Sequence, residues 1–149
     1  MKKIFVTIIF LSLVLGGYAQ SYNNNSTQED LRAGISNYLH QQGLNPEKQD
    51  DGLKFKSEGS TYYIEIDKEA QKPMYVRLRR YVKYNDKCTK ESVFKNLNKY
   101  NVKFGVKVLC QEKSYVLSSE MFLTQASEFG YVFNRFLSQM KSAYKLITE

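Results

Sequence analysis

The apolar positions along the chain fall into two rhythms. From Gln28 onward, Leu31, Ile35, Tyr38 and Leu39 recur three and four apart, the spacing of one face of a helix. Ser26 or Thr27 is placed to cap this helix, Glu29 and Asp30 stand in its first turn where the dipole favours acids, and Gly43 ends it. Asn45-Pro46 then breaks the chain and Asp50-Asp51-Gly52 turns it. The rhythm next changes to period two: Leu53, Phe55 and Ser57 alternate with Lys54, Lys56 and Glu58. After the turn Glu58-Gly59-Ser60, Tyr62, Ile64 and Ile66 alternate with Tyr63, Glu65 and Asp67, which predicts a hairpin. A turn through Ala70 to Pro73 leads into a long third strand, Met74 to Tyr84. Met74, Val76 and Leu78 share one face of it; Tyr75, Arg77, Arg79, Tyr81 and Lys83 share the other.

Thr89 is placed to cap a second helix, Lys90 to Tyr100, with Val93, Phe94 and Leu97 as its apolar stripe. Alternation then returns and predicts a fourth strand, with Val102, Phe104, Val106, Val108 and Cys110 inward and Lys103, Gly105 and Lys107 outward. Gln111-Glu112-Lys113 turns into a fifth strand, Ser114 to Ser119, with Tyr115 and Leu117 or Val116 available to pack. The last element, Thr124 to Ile147, carries Phe129, Val132, Phe133, Phe136, Leu137, Met140, Ala143 and Tyr144 on one stripe and reads as a helical lid. The order αβββαββα, with antiparallel hairpins and helices on one face, predicts a two-layer α+β domain over residues 28–149.

The start of the chain follows neither rhythm. Lys2 and Lys3 precede an apolar run from Ile4 to Leu15, and Gly17-Tyr18-Ala19 offers small residues at both cleavage positions, the pattern of a secretory signal peptide cut after Ala19. That run falls short of the ~20 residues that span a bilayer, so the mature chain is expected not to cross one and to work in a periplasm or outside the cell. Residues 20–27, QSYNNNST, have no apolar period and read as a flexible leader.

Composition narrows the chemistry. With 42% hydrophobic and 25% charged residues and only two prolines, the chain packs a core. It holds one histidine, two cysteines and no tryptophan, and has no cysteine pair at metal spacing, no Gly-x-Ser-x-Gly elbow and no phosphate loop or dinucleotide fingerprint. No catalytic residue, metal or cofactor is expected; the chain reads as a non-enzymatic binding module.

Charge supplies the candidate site. The net charge is +7, and between Lys72 and Lys107 there are eleven basic residues and two acidic ones. If the helices cover one sheet face, the other displays Tyr75, Arg77, Arg79, Tyr81 and Lys83 beside Lys54, Lys56, Lys103 and Lys107. Guanidinium forks interleaved with tyrosines suit anionic groups on a protein or peptide, and self-association is a natural use of the same face. An exported chain is not expected to meet nucleic acid. The pattern equally describes a solvated face whose cations pair with Glu65 and Asp67 across the hairpin. A second function is a carrier of an anionic small molecule or lipid, with Phe104, Phe129, Phe133 and Phe136 lining a cavity between sheet and long helix; ordinary core packing is the other use of those rings. Cys88 and Cys110 return to one edge of the domain if the second helix and the fourth strand run in opposite directions. That allows either a disulfide or an exposed Cys88 with Cys110 as a buried apolar residue.

The leading helix, the acidic turn before Leu53-Lys54-Phe55, the hairpin Glu58-Gly59-Ser60-Thr61-Tyr62, the basic third strand and the long last helix together resemble the YbjN-like family of bacterial proteins, over about Gln28 to Ile147. Members are described as candidate sensory transduction regulators with a fold like that of type III secretion chaperones. The resemblance implies a partner-binding domain able to dimerise and brings no catalytic residues. The signal peptide departs from the family's cytosolic members.

Overall fold

The computed structural model describes residues 27–68 and 73–148. In chain order these form α1 (Gln28–Gln41), β1 (Glu47–Gln49), β2 (Gly52–Ser57), β3 (Ser60–Ile66), β4 (Met74–Lys83), α2 (Lys90–Lys95), α3 (Leu97–Phe104), β5 (Lys107–Cys110), β6 (Ser114–Leu123) and α4 (Ser127–Thr148). The strands make one antiparallel sheet in the order β1-β2-β3-β4-β6-β5, and the helices pack on one face of it, an α+β layout. The expected signal peptide, nearly all of the leader and most of the Ala70–Pro73 turn lie outside the described residues. Among the described residues no helix is long and apolar enough to cross a membrane.

Local chemistry explains the boundaries. Thr27 and Asp30 exchange side chain-to-backbone hydrogen bonds at the start of α1, a capping box that satisfies two otherwise orphaned N–H groups. At its other end Gly43, at φ 74°, lets the N–H groups of Gly43 and Leu44 return to the carbonyls of His40 and Leu39. The β2–β3 hairpin turns on Glu58 and Gly59, at φ 49° and 73°, the left-handed pair that matches strand twist in a two-residue loop.

The core lies between the sheet and the helices. Leu31, Ile35 and Leu39 of α1, and Phe129, Phe133 and Met140 of α4, are buried against alternate strand residues such as Leu53, Phe55, Ile64, Val76 and Leu78. Phe133 sits 5.8 Å from both the Tyr38 and Phe55 rings and 5.1 Å from Phe129. Helix α1 packs closely on α4 and the residue before it: a β-carbon on Gly34 would lie 2.2 Å from that of Ala126, just ahead of α4, and one on Gly130 would lie 2.9 Å from the Tyr38 ring.

The structure departs from the sequence expectations in four places. A further strand, β1, pairs with β2; its three residues are too few to show alternation. The expected second helix is two helices meeting at Asn96, and residues 102–104, expected to open a strand, form the last turn of α3. Val93, Leu97, Tyr100 and Phe104 lie four, three and four apart, so helical period runs through this stretch as readily as alternation does. Gly105, left-handed at φ 63°, ends the helix and leaves only Lys107–Cys110 as strand. Phe94, assigned to the apolar stripe, is 66% exposed. Strand β6 runs on to Leu123 and is buried on both faces from Tyr115 to Ser119, which erases alternation there.

The fourth departure concerns the cysteines. Both are free thiols, Cys88 buried and Cys110 half-buried. The bridge that the spacing allowed is not formed, and the alternative placement is reversed, since it is Cys88 that is buried. Burial pushes the Cys88 thiol up, and burial together with the neighbouring Cys110 pushes the Tyr84 hydroxyl up to about 12.

Candidate functional site

The face of the sheet turned away from the helices is left uncovered by them. Strand register lays its residues in rows: Lys54, Tyr63, Arg79, Ser118 and Lys107 across β2-β3-β4-β6-β5, then Glu65, Arg77 and Glu120 beside them. Tyr81, Val116 and Leu109 form a row on one flank, and Tyr75 opposite Phe122 forms one on the other.

The charged rows are cross-linked. Glu65, whose side chain is only 12% exposed, pairs with Arg77 Nε at 3.1 Å and Arg79 Nη1 at 3.0 Å, and accepts a hydrogen bond from the Tyr81 hydroxyl at 3.2 Å. Glu120 pairs with Lys107 and accepts a hydrogen bond from Tyr75. Burial by itself raises the Glu120 carboxyl, but the bonds from Lys107 and Tyr75 outweigh it and hold the group below the ordinary carboxylate range. The same pairing raises Lys107, and burial followed by the Glu120 bond raises Tyr75.

Aromatic side chains flank this network. Tyr75 and Phe122 lie 5.1 Å apart, with the Arg77 guanidinium 5.3 Å from the Tyr75 ring centre. Tyr63 and Tyr81 meet edge to face at 5.4 Å. Phe122 is 66% exposed, and Tyr81 and Leu109 also stand open to solvent. Two polar atoms of the central row, Arg79 Nε and Ser118 Oγ, are buried with no hydrogen-bond partner.

Tyr75, Arg77, Arg79, Tyr81, Lys83 and Lys107 all stand on this face. Lys103 does not share it, because it belongs to α3 rather than to a strand. Sequence reading missed the β6 contribution, Val116, Ser118, Glu120 and Phe122. The alternation of Met121 and Leu123 with Glu120 and Phe122 was the available signal, hidden by the apolar character of Phe122.

The edges of the sheet offer less. Strand β1 has three residues, and in β5 the edge N–H of Val108 is occupied by Asn101 Oδ1 at 2.7 Å, which blunts pairing with another strand. On the helical side an open groove of 580 Å³ runs between α1 and α4, lined in part by Asn37, Tyr38, Gln41 and Tyr131. Of the two uses open to the aromatic rings, core packing is the one seen: Phe129 and Phe133 are buried and packed on each other and on Tyr38, and Phe136 is half-buried against the same core. The Phe104 side chain lies outside the described residues.

No protein-family model matches the chain, and neither does any curated protein. Among solved structures the chain is similar to YbjN from E. coli, with a TM-score of 0.58 and 11% identity over 74% of this chain and 86% of that one. It is also similar to an uncharacterised protein from Methanothermobacter thermautotrophicus, with a TM-score of 0.50 and 13% identity over 78% of this chain and 99% of that one. At these identities the likeness is one of fold, and the fold is YbjN-like.

Proposed function

We propose that this chain is a small non-enzymatic module that docks a protein partner on its open sheet face and, once residues 1–19 are removed, works outside the cytosol. The observation that carries this reading is the face itself: exposed Phe122, Tyr81 and Leu109 flank a core of paired Arg and Glu. Tyrosine and arginine around a core of low net charge are what protein interfaces select, because they give large contact area at small entropic cost. Glu65 and Glu120 favour a polypeptide over a nucleic acid here, since phosphates would compete with these carboxylates for Arg77, Arg79 and Lys107. The solved YbjN structure is described as that of a candidate transcription regulator. Regulation through a protein contact is in keeping with such a face.

The test is photo-crosslinking in the native host, with benzoylphenylalanine placed at Phe122 or at Tyr131, which is 87% exposed on α4. The expected result is one polypeptide, identified by its crosslinked peptide, from position 122 and not from 131. Capture only from 131 moves the site to the helical side. Amino-terminal sequencing of the fractionated protein checks the compartment; a start at Gln20 in the exported fraction is expected, and an intact Met1 in the cytosol removes that half of the proposal.

A further inference from the structure

Building on the docking reading above, we infer that the segment received by this face is acidic and carries an apolar or aromatic anchor beside its carboxylates. The first ground is an excess of donors. Lys54, Lys56, Arg77, Arg79, Lys83 and Lys107 outnumber Glu47, Glu65, Asp67 and Glu120, and one carboxylate, Glu65, serves Arg77, Arg79 and Tyr81 together.

The second ground is the orphaned pair at the centre. Ser118 is 1% exposed and stands in register between Arg79 and Lys107, yet its Oγ and the neighbouring Arg79 Nε have no partner. A carboxylate laid on this row by a partner would meet Lys107 and the partly exposed Arg79 guanidinium, and would reach Ser118 Oγ, which is sealed from solvent, only if the side chains above it part. A purely apolar partner would instead desolvate those cations without compensation.

Charge also decides against a second copy of the chain. Two such faces would bring like excesses together in a protein whose net charge is still +5 after Lys2 and Lys3 leave with residues 1–19. The strand lengths, at ~3.3 Å per residue and ~4.8 Å between strands, give the face roughly 600 Å², close to the per-partner area of a modest specific interface. Phe122 with Tyr75, and Tyr81 with Leu109, supply the anchor sites at its two flanks.

The experiment is fluorescence anisotropy of labelled poly(Glu,Tyr) against the full chain, with poly(Lys,Tyr) and inorganic polyphosphate as comparison probes. Poly(Glu,Tyr) is expected to bind and poly(Lys,Tyr) not to bind, with affinity falling as salt rises from 50 to 200 mM. The double variant Arg77→Gln/Arg79→Gln should lower affinity about tenfold. Phe122→Ala should lower it several-fold without changing the salt dependence, and Glu65→Gln should raise it. Thermal melts accompany each variant; if the double variant unfolds, Phe122→Ala and Glu65→Gln read the same face. Equal binding of the two copolymers, or indifference to all three substitutions, overturns the inference. Polyphosphate bound as tightly as poly(Glu,Tyr) and unaffected by Phe122→Ala also overturns it, by reducing the face to a general anion attractor. A dimer by light scattering that Phe122→Ala dissolves makes the occupant a second copy instead. A basic partner crosslinked from position 122 refutes the acidic inference while leaving the docking reading intact, and capture only from 131 removes both.

Discussion

The two faces of the sheet use the same strands and opposite means. Toward the helices, β3 and β4 present Ile64, Ile66, Val76 and Leu78, essentially without solvent exposure, and their contribution comes from excluded water and close packing. One residue along in either direction, the same strands present Tyr63, Glu65, Arg77 and Arg79, all half-buried, with Glu65 holding both arginines by ion pairs. The contrast separates stability from recognition. The covered face can lose little without cost to the fold, whereas the open face, apart from the acceptor Glu65, holds side chains whose worth to the isolated domain is smaller.

The largest expected effect lies on the covered face. Phe133→Ala should cost about 3–5 kcal/mol, because the ring is buried among Tyr38, Phe55 and Phe129 and its removal leaves a cavity. Phe122→Ala, the same chemical change on the open face, should stay within about 0.5 kcal/mol in the same denaturant titration. Equal losses would abolish the contrast. Gly34→Ala comes next: a methyl 2.2 Å from the Ala126 β-carbon should destabilise by about 1–3 kcal/mol despite the better helix propensity of alanine. A stabilised protein would mean that α1 and α4 slide apart freely.

Glu65→Gln should cost about 1–2 kcal/mol, since Arg77, Arg79 and Tyr81 lose a shared charged acceptor, and the loss should shrink as salt screens the two arginines from each other. The smallest effect is on pH dependence. The Glu120 carboxyl is held below 4.5 in the folded chain, so its contribution is fully present above that value and is lost as pH falls through the lower folded one. Glu120→Gln should lower the neutral plateau slightly and leave stability well below the folded value nearly unchanged, so that the two stability-versus-pH curves converge in acid.

Legibility in the sequence tracks how one-sided each element's environment is. Helix α1, the β2–β3 hairpin, β4 and α4 each bury one face and bare the other, so their period and caps are written in the residues. Strand β6 lies between β4 and the edge strand β5 and is buried on both faces from Tyr115 to Ser119; its register was therefore invisible, and with it the half of the site that holds Ser118, Glu120 and Phe122. Residues 100–106 satisfy both periods, and the left-handed Gly105, rather than any apolar count, marks where helix yields to strand. That Cys88 is buried and Cys110 half-buried, as separate thiols, follows from positions that residue spacing does not encode.

Helix α1 and helix α4 meet where Tyr38 and Gly130, 92 residues apart in the chain, come within 3.5 Å. In the order of synthesis this contact is among the last available. Leu31, Ile35 and Leu39 emerge early and must wait, without their aromatic cover, until Phe129 and Phe133 have left the ribosome. However early α1 is made, its part of the core closes only once residues 129–133 are available to cover it.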